Sequence, residues 1–422
     1  MTRRTYPTQS VLNHFLFPLL LPPLLILGTN CARPIQPRYQ ADRDTVQLDT
    51  SPVETGVHPT HQKLFQSYDL TSPEEWDSLH GITHHPDART ASKPNPSFKV
   101  FGWHPHYMGT AFRSYNFNLL WAVSYFSYEV NPSTGSYSSI HDWKETELID
   151  LAKKSGTKVF LTATNFGADQ NTEFLENPAA QKTFADSIVH LLQERDGNGV
   201  TVDFEDVPED QAENFTRFIL DLSDHLKQAN PNFMISITLP GIDWHSAYRA
   251  EKMIDAVDLF IVMGYDYYYS GSKVAGPVAP LESGDLWEPY NLESTLRYYL
   301  NKGIPKKQLL IASPYYGREW KTAGTTIPSS ATASLGSHLY RDIRQTIDSL
   351  SLTPEVDTVS WSRYIARDVK ESSQLWFDDS LTLGEKWDWI IRNDLGGIGI
   401  WALGYDNGYA DLWELLESKF GK

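Results

Sequence analysis

From Lys99 onward, short apolar runs alternate with amphipathic helical stretches, and this alternation constrains the fold more than any other feature of the chain. Eight runs read as strands: Lys99 to Trp103, Leu119 to Tyr128, Lys158 to Asn165, Gly199 to Val207, Phe233 to Leu239, Ala256 to Tyr265, Gln308 to Tyr315 and Gly397 to Leu403. Helical stretches lie between them at Glu145 to Lys154, Ala179 to Glu194, Ala212 to Ala229, part of Tyr248 to Val257, and Asn291 to Asn301, with a last one at Ala410 to Lys419. In the third, Phe215, Phe218, Ile219, Leu222 and Leu226 recur on one face and Pro231 follows the end. Eight parallel strands with crossover helices predict an α/β chain closed as a (β/α)8 TIM barrel, a fold whose sites lie at the C-terminal ends of the strands. The seventh and eighth strands are too far apart for one helix. Residues 321–379 therefore predict a small α+β insertion between strands 7 and 8, with Gln374 to Phe377 as one of its strands.

The fourth strand carries the unusual residues. In Asn198-Gly199-Val200-Thr201-Val202-Asp203-Phe204-Glu205-Asp206-Val207, alternation puts Val200, Val202 and Phe204 on one face and Thr201, Asp203 and Glu205 on the other. A barrel strand is buried on both faces. Two buried carboxylates two residues apart repel, which pushes their pKa values apart and suits one as acid and the other as base. Spacing alone does not separate this from a strand end at the surface with solvated acids.

The other barrel strands also end in polar and aromatic residues. Trp103-His104-Pro105-His106-Tyr107 closes the first, Tyr125 lies near the end of the second, and Asn165 ends the third. Met263-Gly264-Tyr265-Asp266 closes the sixth, Tyr315-Tyr316-Gly317-Arg318 the seventh and Trp401 the eighth. Thirteen Trp and 22 Tyr exceed what a core of this size needs, and aromatic faces stack on sugar rings. Each of these residues also has a plain reading as a packed rim aromatic. His104 and His106 resemble the paired histidines of barrel metal hydrolases, but only His245 offers a further histidine near a strand end. No metal site and no cofactor are expected.

A net charge of −17 disfavours nucleic acid and anionic membrane surfaces as partners. The chain has one cysteine, Cys31, which excludes an intrachain disulfide. Arg3 and Arg4, an apolar run from Phe15 to Leu27 and then Gly28-Thr29-Asn30-Cys31 give the layout of a signal peptide over 1–31, too short to span as a mature helix. The lone cysteine resembles the acylated residue of a bacterial lipoprotein, although Gly28 and Asn30 depart from that pattern. Export is expected, as a cell-envelope lipoprotein or in free form. Residues 32–97 are polar and read as a tether with local structure, including a short helix from Pro73 to Leu79 with Ser72 as its N-cap. Residues 98–422 form the barrel domain, expected as a monomer.

Asn198 to Glu205 resembles the DGxDxDxE signature of glycoside hydrolase family 18, the chitinase family, and Met263 to Asp266 resembles its MxYD element. Pro314 to Arg318 and Gly397 to Trp401 fall at the seventh and eighth strands in the family's order, so the resemblance spans about residues 99–422. Gly276 to Leu281 and the insertion are similar to the bacterial branch that includes spore-cortex and peptidoglycan glucosaminidases and chitobiases. The resemblance implies substrate-assisted, retaining cleavage of β-linked N-acetylglucosamine glycans. In that scheme the substrate's acetamido oxygen is the nucleophile, an exception to the two-carboxylate rule. Glu205 would be the general acid, Asp203 would orient the acetamido group, and Tyr265 would hydrogen-bond it. Asp266 and Trp401 would contact the cleaved sugar, with Trp401 as its stacking floor. Met263, Tyr125, Tyr315, Arg318, Trp103 and Asn165 are further candidate substrate contacts. Two departures stand out: Asn198 replaces the first acid of the signature and Thr201 the second, so Asp203 lacks its usual carboxylate neighbour and stays ionised. A non-catalytic glycan-binding barrel is the alternative. Chitin, peptidoglycan and N-glycan cores share the same sugar, so these residues do not choose among them.

Overall fold

The structure is a computed structural model that describes residues 61–64, 72–84 and 97–421. Cys31 and the apolar run before it lie outside the described residues. Eight parallel strands form the barrel: β1 (Lys99–Pro105), β2 (Ala122–Val130), β4 (Lys158–Phe166), β5 (Gly199–Glu205), β6 (Met234–Pro240), β7 (Leu259–Met263), β9 (Leu309–Pro314) and β15 (Gly397–Trp401). Each pairs with its sequence neighbour, and β1 pairs with both β2 and β15, which closes the ring. Closure brings backbones close at the β1–β15 seam. A Cβ on Gly397 would lie 1.9 Å from the Lys99 carbonyl oxygen, so only glycine lets these two strands meet. A short strand, β3 (Tyr137–Ser139), runs antiparallel to the end of β2.

The alternation expected of β5 is what folds. Phe204 points outward and stacks on Phe218 of the helix Ala212–Ala229 at 5.6 Å between centroids, with Phe174 and Phe215 beside it. Thr201 and Asp203 point into the barrel and are buried. That helix buries Phe215, Phe218, Ile219, Leu222 and Leu226, the five residues its periodicity singled out. Tyr248 to Val257 is different: only the 3-10 turn Ala250–Lys252 forms there. The β6 to β7 connection instead crosses the rim, where the Tyr248 hydroxyl donates to the Phe204 carbonyl at 2.6 Å.

After β9 the chain leaves the barrel at once. β10 (Tyr316–Thr322), β11 (Ser329–Leu339), β12 (Glu355–Asp357), β13 (Ser362–Asp368) and β14 (Ser372–Phe377) form an antiparallel sheet with β8 (Val274–Ala275), in the order β12-β13-β14-β10-β11-β8. A helix, Tyr340–Leu350, packs Ile343 onto Ile365, Leu375 and Phe377 of this sheet. The excursion begins at Tyr316, earlier than the expected Lys321.

Parts of the segment read as a tether dock on the barrel. The helix Pro73–Leu79 forms with Ser72 accepting from the Glu75 amide, and its Trp76 Nε1 donates to the Tyr107 carbonyl at 3.1 Å. Asp77 Oδ1 accepts from the Thr110 amide at 3.1 Å, and Thr83 and Asn407 exchange two hydrogen bonds of 2.8 and 2.9 Å. Further upstream, His61 is fully buried.

Candidate active site

The β5–β6 ladder ends at Val202 paired with Ile237, whereas the β4–β5 ladder runs on to Glu205. β5 and β6 therefore splay at the top of the barrel, and the freed Phe204 carbonyl is taken by Tyr248. The Glu205 carbonyl is held from the other side by the Gly167 amide at 3.1 Å and Asn171 Nδ2 at 2.6 Å. Both acids thus project from a backbone pinned on each flank.

Asp203 is 1% exposed and its Oδ1 accepts from the Thr238 hydroxyl at 2.6 Å. Below it, Thr201 lies in a row of hydroxyls across four strands: Thr162 to Ser124 at 2.6 Å, Ser124 to Thr201 at 3.2 Å and Thr201 to Ser236 at 2.9 Å. Neutral hydroxyls that donate and accept in turn satisfy each other in a dry interior where a carboxylate would need compensation. Asn198 has an equally local role. Its Oδ1 accepts from the Val159 amide at 2.8 Å, a bond that an Asp oxygen could make as well.

Glu205, Tyr265, Asp266, Met263 and Arg318 line a common cavity of about 210 Å³, together with Asp206, Trp244 and Tyr269. Burial, then the nearby charges of Asp203 and Glu205, push the Tyr265 phenol well above its usual range, which keeps it a proton donor. Burial, and next the Glu205 charge, raise the Asp206 carboxyl. Arg318 forks onto Asp266 through Nε and Nη2, both at 2.9 Å, and the Tyr316 hydroxyl donates to the same carboxylate at 2.6 Å.

The remaining candidates are placed elsewhere. Trp103 is buried against Phe101 and Trp401 in the barrel interior. Tyr125 is buried and its hydroxyl accepts from the Asp142 amide at 2.9 Å, facing a second cavity lined by His104, His106 and Trp76. Tyr315 is buried toward Asp406 and Tyr340, on the other side of the chain from Asp266. Asn165 Nδ2 donates to Asn171 Oδ1 at 3.0 Å, so it supports the residue that holds the Glu205 carbonyl. None of these four lines the 210 Å³ cavity. Trp401 is placed at the centre of the rim, but it is 1% exposed and lies outside the 210 Å³ cavity.

The histidine pair is also spoken for. His104 Nδ1 meets the Tyr115 hydroxyl at 2.9 Å, and His106 stacks on His141 at 3.4 Å. Burial lowers both to about 3, so both are neutral. Among the described residues no group of three His, Cys, Asp or Glu is arranged to hold a metal ion. Residues the sequence did not single out are Thr238, Tyr316, Asp206 and Trp244; the last is 67% exposed, beside Tyr290 at 4.9 Å.

Comparison with known proteins adds to this geometry. Residues 107–406 match the family model described as Glycosyl hydrolases family 18. A Bacillus subtilis (strain 168) protein, YdhD, a sporulation-specific glycosylase by name, is 24% identical over 289 residues, which cover 67% of this chain and 65% of that protein. Chitotriosidase-1 of Mus musculus is 24% identical over 273 residues, 57% of this chain and 56% of its own. The chain thus spans less than two thirds of the length of these curated relatives. Among solved structures, a mutant family 18 chitinase of Cycas revoluta in complex with (GlcNAc)4 superposes with a TM-score of 0.69 at 18% identity, covering 76% of this chain and 99% of that one.

Proposed function

Because the chain belongs to glycosyl hydrolase family 18, we propose that it hydrolyses β-linked N-acetylglucosamine glycans with retention, using the substrate's acetamido group as nucleophile. The observation that carries this reading is the division of labour between the two acids of β5. Asp203 is enclosed and held by Thr238, whereas Glu205, two residues on, reaches the open cavity beside Tyr265 and Asp266. Glu205 gives its proton to the glycosidic oxygen while the acetamido oxygen attacks the anomeric carbon and the leaving sugar departs. Asp203 steadies the resulting oxazolinium, and Tyr265 holds its acetamido group. Glu205 then takes a proton from water, which opens the ring and returns the β-anomer. The Arg318–Asp266–Tyr316 cluster fixes the carboxylate that faces the cleaved sugar, and Trp401 is its floor. Relatives that carry (GlcNAc)4 in this fold support an N-acetylglucosamine oligomer as substrate. The Arg3–Arg4 start, the apolar run and Cys31 support export, with Cys31 as a lipid anchor.

The test is a pair of variants. Glu205→Gln should lose at least about a hundredfold in kcat on a chitooligosaccharide while still binding it. Asp203→Asn should also be slow, and a substrate with an activated phenol leaving group should restore the first step of the Glu205 variant far more than that of the Asp203 variant. Equal restoration of both sinks the assignment. Full activity in either variant means that the acids of β5 are not the catalytic pair, and no cleavage by the parent returns the barrel to a role in glycan binding.

A further inference from the structure

The site described above is open on one side and closed on the other, and the closure is made by the chain itself. On the open side the cavity reaches Trp244, Tyr269 and Ser270. On the other side the His61 imidazole, 0% exposed, lies among Trp401, Tyr405 and Tyr316. Trp401 Nε1 donates to His61 Nδ1 at 3.3 Å, and the Tyr405 hydroxyl lies 3.1 Å from the same nitrogen. The ring stands edge-on to Tyr316 at 4.5 Å and to Tyr405 at 5.3 Å. Tyr316 is the residue whose hydroxyl holds Asp266. One imidazole from far upstream in the sequence therefore touches both the indole proposed as the sugar's floor and the tyrosine that holds Asp266.

A sugar ring stacks on an indole only if one indole face is bare, and Trp401 has almost no bare surface. Trp103 at 6.3 Å and Phe126 at 4.9 Å cover it from within the barrel. His61 meets it from the N-terminal segment and takes the indole N–H at the edge of the ring. We propose that residues 61–64 form an autoinhibitory strap in which His61 stands where the sugar must lie, so that substrate binding and closure of the strap exclude each other. This rests on the assignment of Trp401 as the sugar floor. The two donors share the one Nδ1 lone pair, and a hydrogen bond of ordinary net strength corresponds to a competing factor of up to about tenfold in substrate affinity.

Three measurements on the full chain test the strap. In His61→Ala, KM for an N-acetylglucosamine oligomer should fall severalfold, up to about tenfold, with kcat unchanged. Hydrogen exchange on the Glu205→Gln protein should show residues 61–64 losing protection when (GlcNAc)4 is added. A third readout needs no substrate: oxidation of Trp401 by N-bromosuccinimide, followed by peptide mass spectrometry, should be about tenfold faster in His61→Ala than in the parent at equal thermal stability. Equal oxidation overturns the strap whatever the substrate is. A raised KM, a lowered kcat, or added protection at 61–64 with (GlcNAc)4 also overturns it, since His61 would then belong to the binding site. Faster oxidation with no cleavage of the oligomer by either protein overturns the sugar reading, and autoinhibition with it.

Discussion

Thr238 ends its hydroxyl on Asp203 Oδ1 at 2.6 Å, inside a barrel that offers that carboxylate no acid at position 201. A hydrogen bond to a charged group contributes about 1.5–3 kcal/mol, and in the mechanism proposed above this one would hold the Asp203 carboxylate in place to face the oxazolinium. Thr238→Val keeps the shape and removes the donor. Its kcat on a chitooligosaccharide should drop about ten- to a hundredfold with little change in KM, read by steady-state kinetics. An unchanged kcat would leave Thr238 as packing. At this scale the sequence was legible where a single rule governs side-chain direction. Period-two alternation placed Asp203 and Glu205 because β5 is one unbroken strand. The rule does not carry past Pro314, because the chain passes from β9 into β10 there and changes sheets. Tyr316, not Tyr315, then faces Asp266. His61 carried no local signal at all, since its meaning comes from Trp401, 340 positions away.

A fully buried ion pair ties the insertion to the barrel. Lys386 on the helix Ser380–Arg392 places Nζ 2.6 Å from both oxygens of Asp378, just after β14, with the Thr382 hydroxyl donating to the same carboxylate at 2.9 Å. Burial raises Asp378 and lowers Lys386, while the pairing works against both shifts. Removing one partner of such a pair leaves an uncompensated charge in a dry site. Lys386→Met should therefore cost about 3–5 kcal/mol in urea denaturation, and adding Asp378→Leu should recover most of it. A loss no larger than that of a surface Lys variant would show that water reaches the pair. The barrel strands and the amphipathic helix Ala212–Ala229 were readable because burial imposes a period on each. The helix Ala168–Leu175 was not, since Gly167 supplies no side-chain cap and its apolar face is short. The 3-10 turn at Ala250–Lys252 replaced an expected helix because the connection is used to bring Tyr248 over the rim.

For the molecule as a whole, a charge of −17 makes pH a lever on stability, and one acid stands apart from the rest. Asp406 is 2% exposed, its Oδ2 accepts no hydrogen bond among the described residues, and burial pushes its carboxyl up to about 7. The native state then keeps this proton after the unfolded chain has lost it, so native stability falls as pH rises from about 4 to about 7 and levels off beyond. A shift of that size corresponds to about 4 kcal/mol when fully expressed. Asp406→Asn should match the parent near pH 4 and exceed it increasingly up to pH 7, read as the difference in urea midpoints. A constant difference across that range would mean that Asp406 is not the group responsible. The His61 contact has a consequence of another kind, in populations. A protein whose floor is covered most of the time binds with its intrinsic dissociation constant divided by the uncovered fraction, so a strap closed about 90% of the time weakens apparent affinity about tenfold. Binding rates would then stop rising at high oligosaccharide concentration, levelling at the rate at which the histidine leaves.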